Sequence, residues 1–295
     1  MSALYLRDFS FPSIRQEDFD LQCECGTEYY PYRVLSGRGL FGLSFAPVTI
    51  LYGGNGSGKS TALNVMASRM GLQRDAPYEP GPYFTEYLTR TGYNCELSEG
   101  CKGIPKESSI ICSEDIFDMT LEIRGRNRAL DIHRDELSEE WLAAKRRPSV
   151  SLATIHGRMY DDWARVARLK HKRQTLAKTL RQEVRPNIKT GSNGENAFEA
   201  FVQRLKPNAL YLLDEPENSL SAAWQVKLAA FLEELVRFEK CQLVIATHSP
   251  FLLAIAEARV YDLDSPRSPV RRWTELENVR LYHELFKAHA AEFDD

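Results

Sequence analysis

Residues 48–61 read Val48-Thr49-Ile50-Leu51-Tyr52-Gly53-Gly54-Asn55-Gly56-Ser57-Gly58-Lys59-Ser60-Thr61: a short apolar run, a glycine-rich turn, then a lysine and two hydroxyls. The apolar run suits a buried strand, and Ser60–Met70 behind the turn has helix-forming composition. Gly53–Ser60 satisfies G-x-x-x-x-G-K-[ST]. The glycines let successive backbone N–H groups turn inward around a phosphate, where a Cβ would obstruct the approach. In that setting Lys59 reaches the β/γ oxygens and the Ser60 hydroxyl ligates Mg²⁺, while the helix behind adds its positive N-terminal end. Strand, glycine loop and helix in this order open an α/β nucleotide-binding unit. The expected phosphate contacts are therefore Gly53, Gly54, Asn55, Gly56, Ser57, Gly58, Lys59, Ser60 and Thr61.

Upstream of that unit, YLRDFSF and GLFGLSF alternate apolar with small or polar residues, so the first 47 residues are expected to form a subdomain of short antiparallel strands. Downstream, residues 72–107 are rich in Gly, Pro and Tyr and read as irregular, with Ser108–Cys112 a candidate strand. A helical stretch from Glu136 to Val184, broken at Pro148, fills an inserted subdomain over 76–190. The last hundred residues alternate buried strand (209–213), amphipathic helix (222–238) and buried strand (243–246), which implies a mainly parallel sheet covered by helices. The C-terminal stretch WTELENVRLYHELFKAHAAEF reads as an amphipathic helix, either completing the core or forming a docking surface.

Length and composition fit a globular chain: 295 residues, 43% hydrophobic and 27% charged, which excludes disordered, collagen-like and small disulfide scaffolds. No apolar stretch approaches the roughly 18–20 residues of a membrane span, and MSALYLRDFSFPSIRQEDFD meets acidic residues too early for a signal core, so a cytoplasmic protein is expected. The six cysteines, including Cys23, Cys25, Cys95 and Cys101, read as reduced thiols, with a metal site the less favoured alternative. The net charge of −3 conceals an asymmetry: residues 145–189 carry 13 Lys/Arg and 3 Asp/Glu, a local +10 against −13 for the rest. Arg165, Arg168, Lys172, Arg173, Lys178 and Arg181 share the polar face of one helix there. That face reads first as a solvated surface. A nucleic-acid phosphate track or a dock for an acidic protein are the alternatives.

Two further strand ends carry chemistry. Leu210-Tyr211-Leu212-Leu213-Asp214-Glu215 delivers adjacent carboxylates: Asp214 to hold Mg²⁺, usually through water, and Glu215 to act as general base on the attacking water. Ile245-Ala246-Thr247-His248 ends another strand with an imidazole able to contact the γ-phosphate. The order Gly53–Ser60, Ser192-Asn193-Gly194-Glu195, Leu213-Asp214-Glu215-Pro216, Ser219-Leu220-Ser221 and His248 resembles an ABC-type ATPase. More narrowly, DEPENSLS and ATHSPFLL are similar to the stand-alone SMC/Rad50-like ATPases of the AAA_21 type. The resemblance covers roughly 1–70 and 186–295 and implies a P-loop NTPase fold, with a RecA-like core and an ABC-type head spanning 1–295.

What the resemblance implies further is ATP hydrolysis in a homodimer that sandwiches two ATP molecules, with Ser192 and Gly194 reaching the partner's γ-phosphate and Ser219–Ser221 linking the two sites. The expected output is a conformational change passed to an effector in DNA repair or phage defence. The chain departs from the family pattern in having Gly191-Ser192-Asn193-Gly194-Glu195 for the signature and no glutamine after the 110–112 strand, where Ser113, Glu114 or a more distant Gln73 could serve. Tyr30 and Tyr32 lie at the separation from Lys59 where transporter-type heads place the adenine-stacking aromatic, although tyrosines of an N-terminal sheet are commonly core. The alternative function is the ATP-binding subunit of a membrane ABC transporter, which the altered signature, the missing glutamine and the basic insertion disfavour. A small-molecule P-loop kinase is a third, more remote reading.

Overall fold

The parallel strands stack their carboxyl ends in register, and that alignment positions everything below. The computed structural model describes residues 3–21, 29–75, 78, 80–96, 103–146, 193–218, 220–267 and 269–293. Among them, β1 (Leu6–Ser10), α1 (Ile14–Leu21), β2 (Gly42–Ser44), β3 (Val48–Tyr52), α2 (Lys59–Met70), α3 (Phe84–Thr89), β4 (Gly92–Cys95), β5 (Ser109–Cys112) and α4 (Ser113–Arg146) precede the second half of the core. That half holds α5 (Asn193–Arg204), β6 (Leu210–Asp214), α6 (Ala222–Phe238), β7 (Gln242–Ala246), α7 (Pro250–Leu253), β8 (Arg259–Asp262), β9 (Val270–Arg271) and α8 (Glu277–Ala288). The chain divides into two units, 1–118 with 192–295, and 119–191. In the second unit the described backbone is the helix that runs to Arg146. The basic segment from 147 onward, Gly191, Ser192 and Ser219 lie outside the described residues.

A six-stranded sheet has the order β5-β6-β7-β3-β8-β9, parallel except for the antiparallel β9. Cys112 pairs with Asp214 and Asp214 with Ala246, while Leu51 pairs with Ala246, so the ends of β5, β6, β7 and β3 fall on one line. Because side chains alternate along a strand, these strands feed two cores. Leu51, Leu210, Leu212, Val244 and Ala246 pack with Leu63 and Met66 of α2. Ile50, Tyr211, Leu213, Leu243 and Ile245 pack with Leu228 and Leu232 of α6 and Phe201 of α5. Burial on both faces explains why 210–213 and 243–246 are continuous apolar runs.

A smaller antiparallel sheet, β2-β1-β4, lies in the same unit. Its third strand comes from Gly92–Cys95, inside the stretch expected to be irregular, so the sheet extends beyond the expected limit at residue 47. Side chains stitch the two sheets: Tyr261 Oη of β8 accepts the Ser44 N–H and donates to its carbonyl, and β7 contributes a second bridge. Gln242 of β7 is fully buried; its Oε1 accepts from the Tyr5 and Leu6 N–H groups and its Nε2 donates to the Leu6 and Ala46 carbonyls. Two other differences concern helices: α1 and α3 arise where no helix was expected, and α4 begins at Ser113, well before Glu136. At the C-terminus, Leu276 and Val279 are buried, whereas Leu281, Tyr282, Leu285 and Phe286 of α8 are exposed.

Candidate active site

The phosphate loop leaves β3 and enters α2 at Lys59. A Cβ on Gly53 would fall 2.6 Å from Ser57 Oγ, so the first glycine is fixed by the loop folding onto itself. Gly58 takes a left-handed φ of 93° just before the helix, a conformation that costs other residues energy. Ser57 Oγ is buried and has no hydrogen-bond partner among the described residues, a polar group left for something within the loop. Lys59 is 4% exposed and its Nζ donates to the Gly53 and Gly54 carbonyls at 2.7 and 3.1 Å. Those bonds turn the ammonium back onto the loop.

The register of β3, β6 and β7 brings the other sequence candidates to the same point. Ser60 Oγ donates to Asp214 Oδ1 at 3.1 Å, an all-oxygen pair suited to a hard cation such as Mg²⁺. Burial pushes the Asp214 carboxyl up to about 6 from its ordinary 3.8; Glu215 and Glu217 add to the rise, and Ser60 and Lys59 oppose it. Glu215 sits at φ 48°, a left-handed conformation uncommon outside glycine and enriched at functional sites. Its Oε1 is 3.7 Å from Lys59 Nζ and 2.9 Å from His248 Nε2, and its Oε2 accepts from Asn218 Nδ2. The other ring nitrogen, His248 Nδ1, is 3.0 Å from the Gly53 carbonyl oxygen, which can only accept. Nδ1 is therefore the donor in that contact, which leaves Nε2 facing the Glu215 carboxylate. Through this one imidazole the base is tied to the phosphate loop.

The two tyrosines part company. Tyr32 is 5% exposed, meets Tyr87 edge-on at 5.1 Å and belongs to the core, so its ring has no free face for adenine. Tyr30 is 37% exposed, stacks on Phe84, and its hydroxyl lies 3.4 Å from Thr61 Oγ1 at the start of α2. Of the three stand-ins for the missing glutamine, Gln73 is taken up elsewhere: its backbone bridges to Ser109 and its Nε2 donates to the Lys106 carbonyl. Ser113 and Glu114 open α4 directly after Cys112, whose backbone pairs with Asp214. Burial pushes the Cys112 thiol up to about 12, and Asp214 adds to that. Gly194 falls in the first turn of α5. Cys112 and Cys241 are free thiols, and no metal-binding cluster of His, Cys, Asp or Glu forms among the described residues.

Two carboxylates escaped the sequence reading. Glu217, 6% exposed, accepts on Oε1 from Thr247 Oγ1 at 2.5 Å and from the His248 N–H at 3.1 Å, with the Ser249 N–H at 3.3 Å. It thereby clamps the loop that carries His248 to the turn that carries Glu215. Its place in Asp214-Glu215-Pro216-Glu217 was the available signal, but nothing in spacing says which loop it holds. Asp264, on the turn after β8, accepts the Gly54 N–H on Oδ2 at 2.7 Å, and no sequence pattern marks it.

Residues 196–254 match the family model AAA_21, described as "AAA domain, putative AbiEii toxin, Type IV TA system"; they hold Asp214, Glu215, Glu217 and His248. No curated protein matches the sequence. Similar solved structures include the Pyrococcus furiosus Smc head domain with an extended coiled coil bound to the C-terminal domain of ScpA, at 12% identity and TM-score 0.37, covering 83% of this chain and 94% of that one. The ABC transporter component cbiO1 from Clostridium perfringens is similar at 14% identity and TM-score 0.39, covering 84% and 86%. A dimeric ATP-binding cassette, MJ0796, in a post-hydrolysis state with ADP and Pi, is similar at 16% identity and TM-score 0.35, covering 80% and 90%. On its own strand order and its phosphate loop, the chain is a P-loop α/β protein, and its residues 196–254 match the AAA_21 family model.

Proposed function

We propose that the chain is a Mg²⁺-dependent ATPase that works as a switch. One observation carries this reading: Lys59, Ser60, Asp214, Glu215 and His248, from three separate strand ends, converge within hydrogen-bonding or ion-pair distance of one another. Gly53–Thr61 would cradle the phosphates, and Tyr30, adjacent to Thr61, offers its exposed ring to the adenine. Ser60 and Asp214 would hold Mg²⁺, which when bound neutralises charge on the β- and γ-phosphates.

The residue chemistry follows from what the site must release. Lys59 has to leave the Gly53 and Gly54 carbonyls to meet the β/γ oxygens. Glu215 then loses a cationic neighbour and takes a proton from the attacking water as the new P–O bond forms and the bond to the β-γ bridging oxygen breaks. His248, hydrogen-bonded to the Gly53 carbonyl and with its other nitrogen 2.9 Å from Glu215, reports the loop's position to the base. In this reading two copies close around two ATP molecules, with Ser192 and Gly194 of each copy serving the other. Reopening after hydrolysis passes a conformational change to a partner, an effector protein or a nucleic acid held by the 145–189 segment. Among the described residues no helix is long and apolar enough to cross a membrane.

The test is phosphate release from Mg-ATP alongside direct ATP binding. Glu215→Gln should bind ATP as the wild type does and lose about 10²–10⁴-fold in turnover. Lys59→Ala should lose tight binding. Wild-type turnover surviving intact in Glu215→Gln would remove Glu215 as base, and absence of nucleotide binding by the wild type would remove the whole assignment.

A further inference from the structure

We infer that Asp264 is a positioning residue that holds the phosphate loop in its receiving shape, and so sets nucleotide affinity rather than the rate of the chemical step. The inference rests on the nucleotide-binding role proposed above. Gly53 and Gly54 are the hub of the loop. Their carbonyls accept from Lys59, and Gly53's also from His248, while the Gly54 N–H donates to Asp264 Oδ2 at 2.7 Å. A Cβ built on Gly53 would lie 3.3 Å from Asp264 Oδ1, and one on Gly54 3.7 Å from Oδ2, so the carboxylate sits against both glycines.

The three contacts differ in permanence. Lys59 must swing off the carbonyls to meet phosphate, and His248 shares its other nitrogen with a base whose environment changes through the reaction. The Asp264 bond uses neither the Lys59 ammonium nor the imidazole: in this inference the Gly54 N–H stays on Asp264 from the empty loop to the filled one, and the phosphates are met by the N–H groups that follow it. Asp264 is itself held. Its N–H donates to Asp262 Oδ1, and Asp262, 5% exposed, also accepts from Ser265 Oγ at 2.6 Å and pairs with Arg271 at 3.3 Å. The Leu263 N–H donates to the Tyr52 carbonyl at 2.8 Å, fixing this turn to the end of β3 immediately before the loop. Asp264 thus acts from a braced turn on a glycine pair that has no side chains with which to brace itself.

Two variants and two readouts test this. Asp264→Ala removes the acceptor, and Asp264→Asn keeps an oxygen acceptor for the Gly54 N–H while removing the charge. With Mg-ATP titrated onto the full chain, the Ala variant should bind about 10-fold more weakly, the scale of one charge-assisted hydrogen bond. Its kcat at saturating ATP should stay within about 2-fold of wild type, on the expectation that the chemical step is untouched. The Asn variant should recover most of the affinity. Asp264 is exposed, so neither variant threatens the core, and thermal melts of both should match wild type. Unchanged affinity in the Ala variant, a loss confined to kcat, or an Asn variant as weak as Ala would each overturn the inference. A wild-type chain that does not bind ATP would instead overturn the function on which it rests.

Discussion

At the scale of single residues, the site concentrates negative charge before any ligand arrives. Asp214, Glu215 and Glu217 crowd one turn, and burial also raises Glu217 above the ordinary carboxylate range. For Asp214 the consequence for stability has a definite sign. Its carboxyl titrates near 6 in the folded chain and at the ordinary 3.8 when exposed, so the folded state binds the proton more tightly. Its contribution to stability therefore falls as pH rises from about 4 to about 6, and the penalty is complete at pH 7 when no cation is present. Asp214→Asn keeps an acceptor for Ser60 and removes the penalty. The metal-free variant should melt above wild type at pH 7.5, the gap should shrink toward pH 5, and Mg-ATP should stabilise wild type but not the variant. A gap independent of pH, or a variant that melts lower at pH 7.5, would show that Asp214 carries no such burden. Legibility at this scale was uneven. Lys59, Ser60, Asp214, Glu215 and His248 could be read because each ends a recognisable strand or loop. Tyr32 could not be told from Tyr30, since counting back from Lys59 measures distance along the chain and not which ring faces the core. Glu217 and Asp264 are defined by the backbone N–H groups they accept, which belong to loops 31 and 210 residues away.

At the scale of elements, β3, β6, α6 and β7 were readable because their environment is uniform: strands covered on both faces are apolar throughout, and a helix on one core repeats every 3.6 residues. α1, with the polar sequence IRQEDFDL, and β4, with GYNC, carry no such pattern. β4 exists because β1 offers it an edge, with Phe9 opposite Tyr93, and α1 because its buried Glu17 accepts from Ser36 Oγ and the Arg33 N–H. Gln242 is the sharpest case. A glutamine at the start of a buried strand reads as a boundary, yet it is fully buried with donor and acceptor both engaged across the two sheets. Gln242→Leu fills similar volume but removes the acceptor used by the Tyr5 and Leu6 N–H groups and the donor used by the Leu6 and Ala46 carbonyls. At about 1–3 kcal/mol for each stranded polar group, the variant should lose at least about 2 kcal/mol in urea unfolding. A loss below about 0.5 kcal/mol, the level of an ordinary surface change, would mean that water or a shifted backbone replaces the amide.

At the scale of the whole molecule, the question is whether one copy makes a complete site. Its own strand ends supply the loop, the Ser60–Asp214 pair, the base and the imidazole. The signature-like Gly194 is instead in the first turn of α5, and its role in the proposed mechanism, like that of Ser192, is toward a second copy. A helix N-terminus presents unpaired backbone N–H groups and a partial positive charge, both of which favour a phosphate brought to it by another subunit. If that is how the site closes, ATP is the glue of the dimer, and a variant that binds ATP without hydrolysing it should trap the closed form. Glu215→Gln with Mg-ATP should therefore double in mass from 33.7 kDa by light scattering on a sizing column, while the same protein without nucleotide stays monomeric. Adding Gly194→Glu should abolish the doubling, because a carboxylate in the first turn of α5 repels the incoming γ-phosphate. It should leave ATP binding to each monomer intact, because the proposed role of Gly194 is toward the partner's nucleotide. Doubling that survives Gly194→Glu would move the interface away from α5. A Glu215→Gln chain that binds ATP and stays at the monomer mass would end the sandwich mechanism, and the second half of the site would then have to come from a different protein.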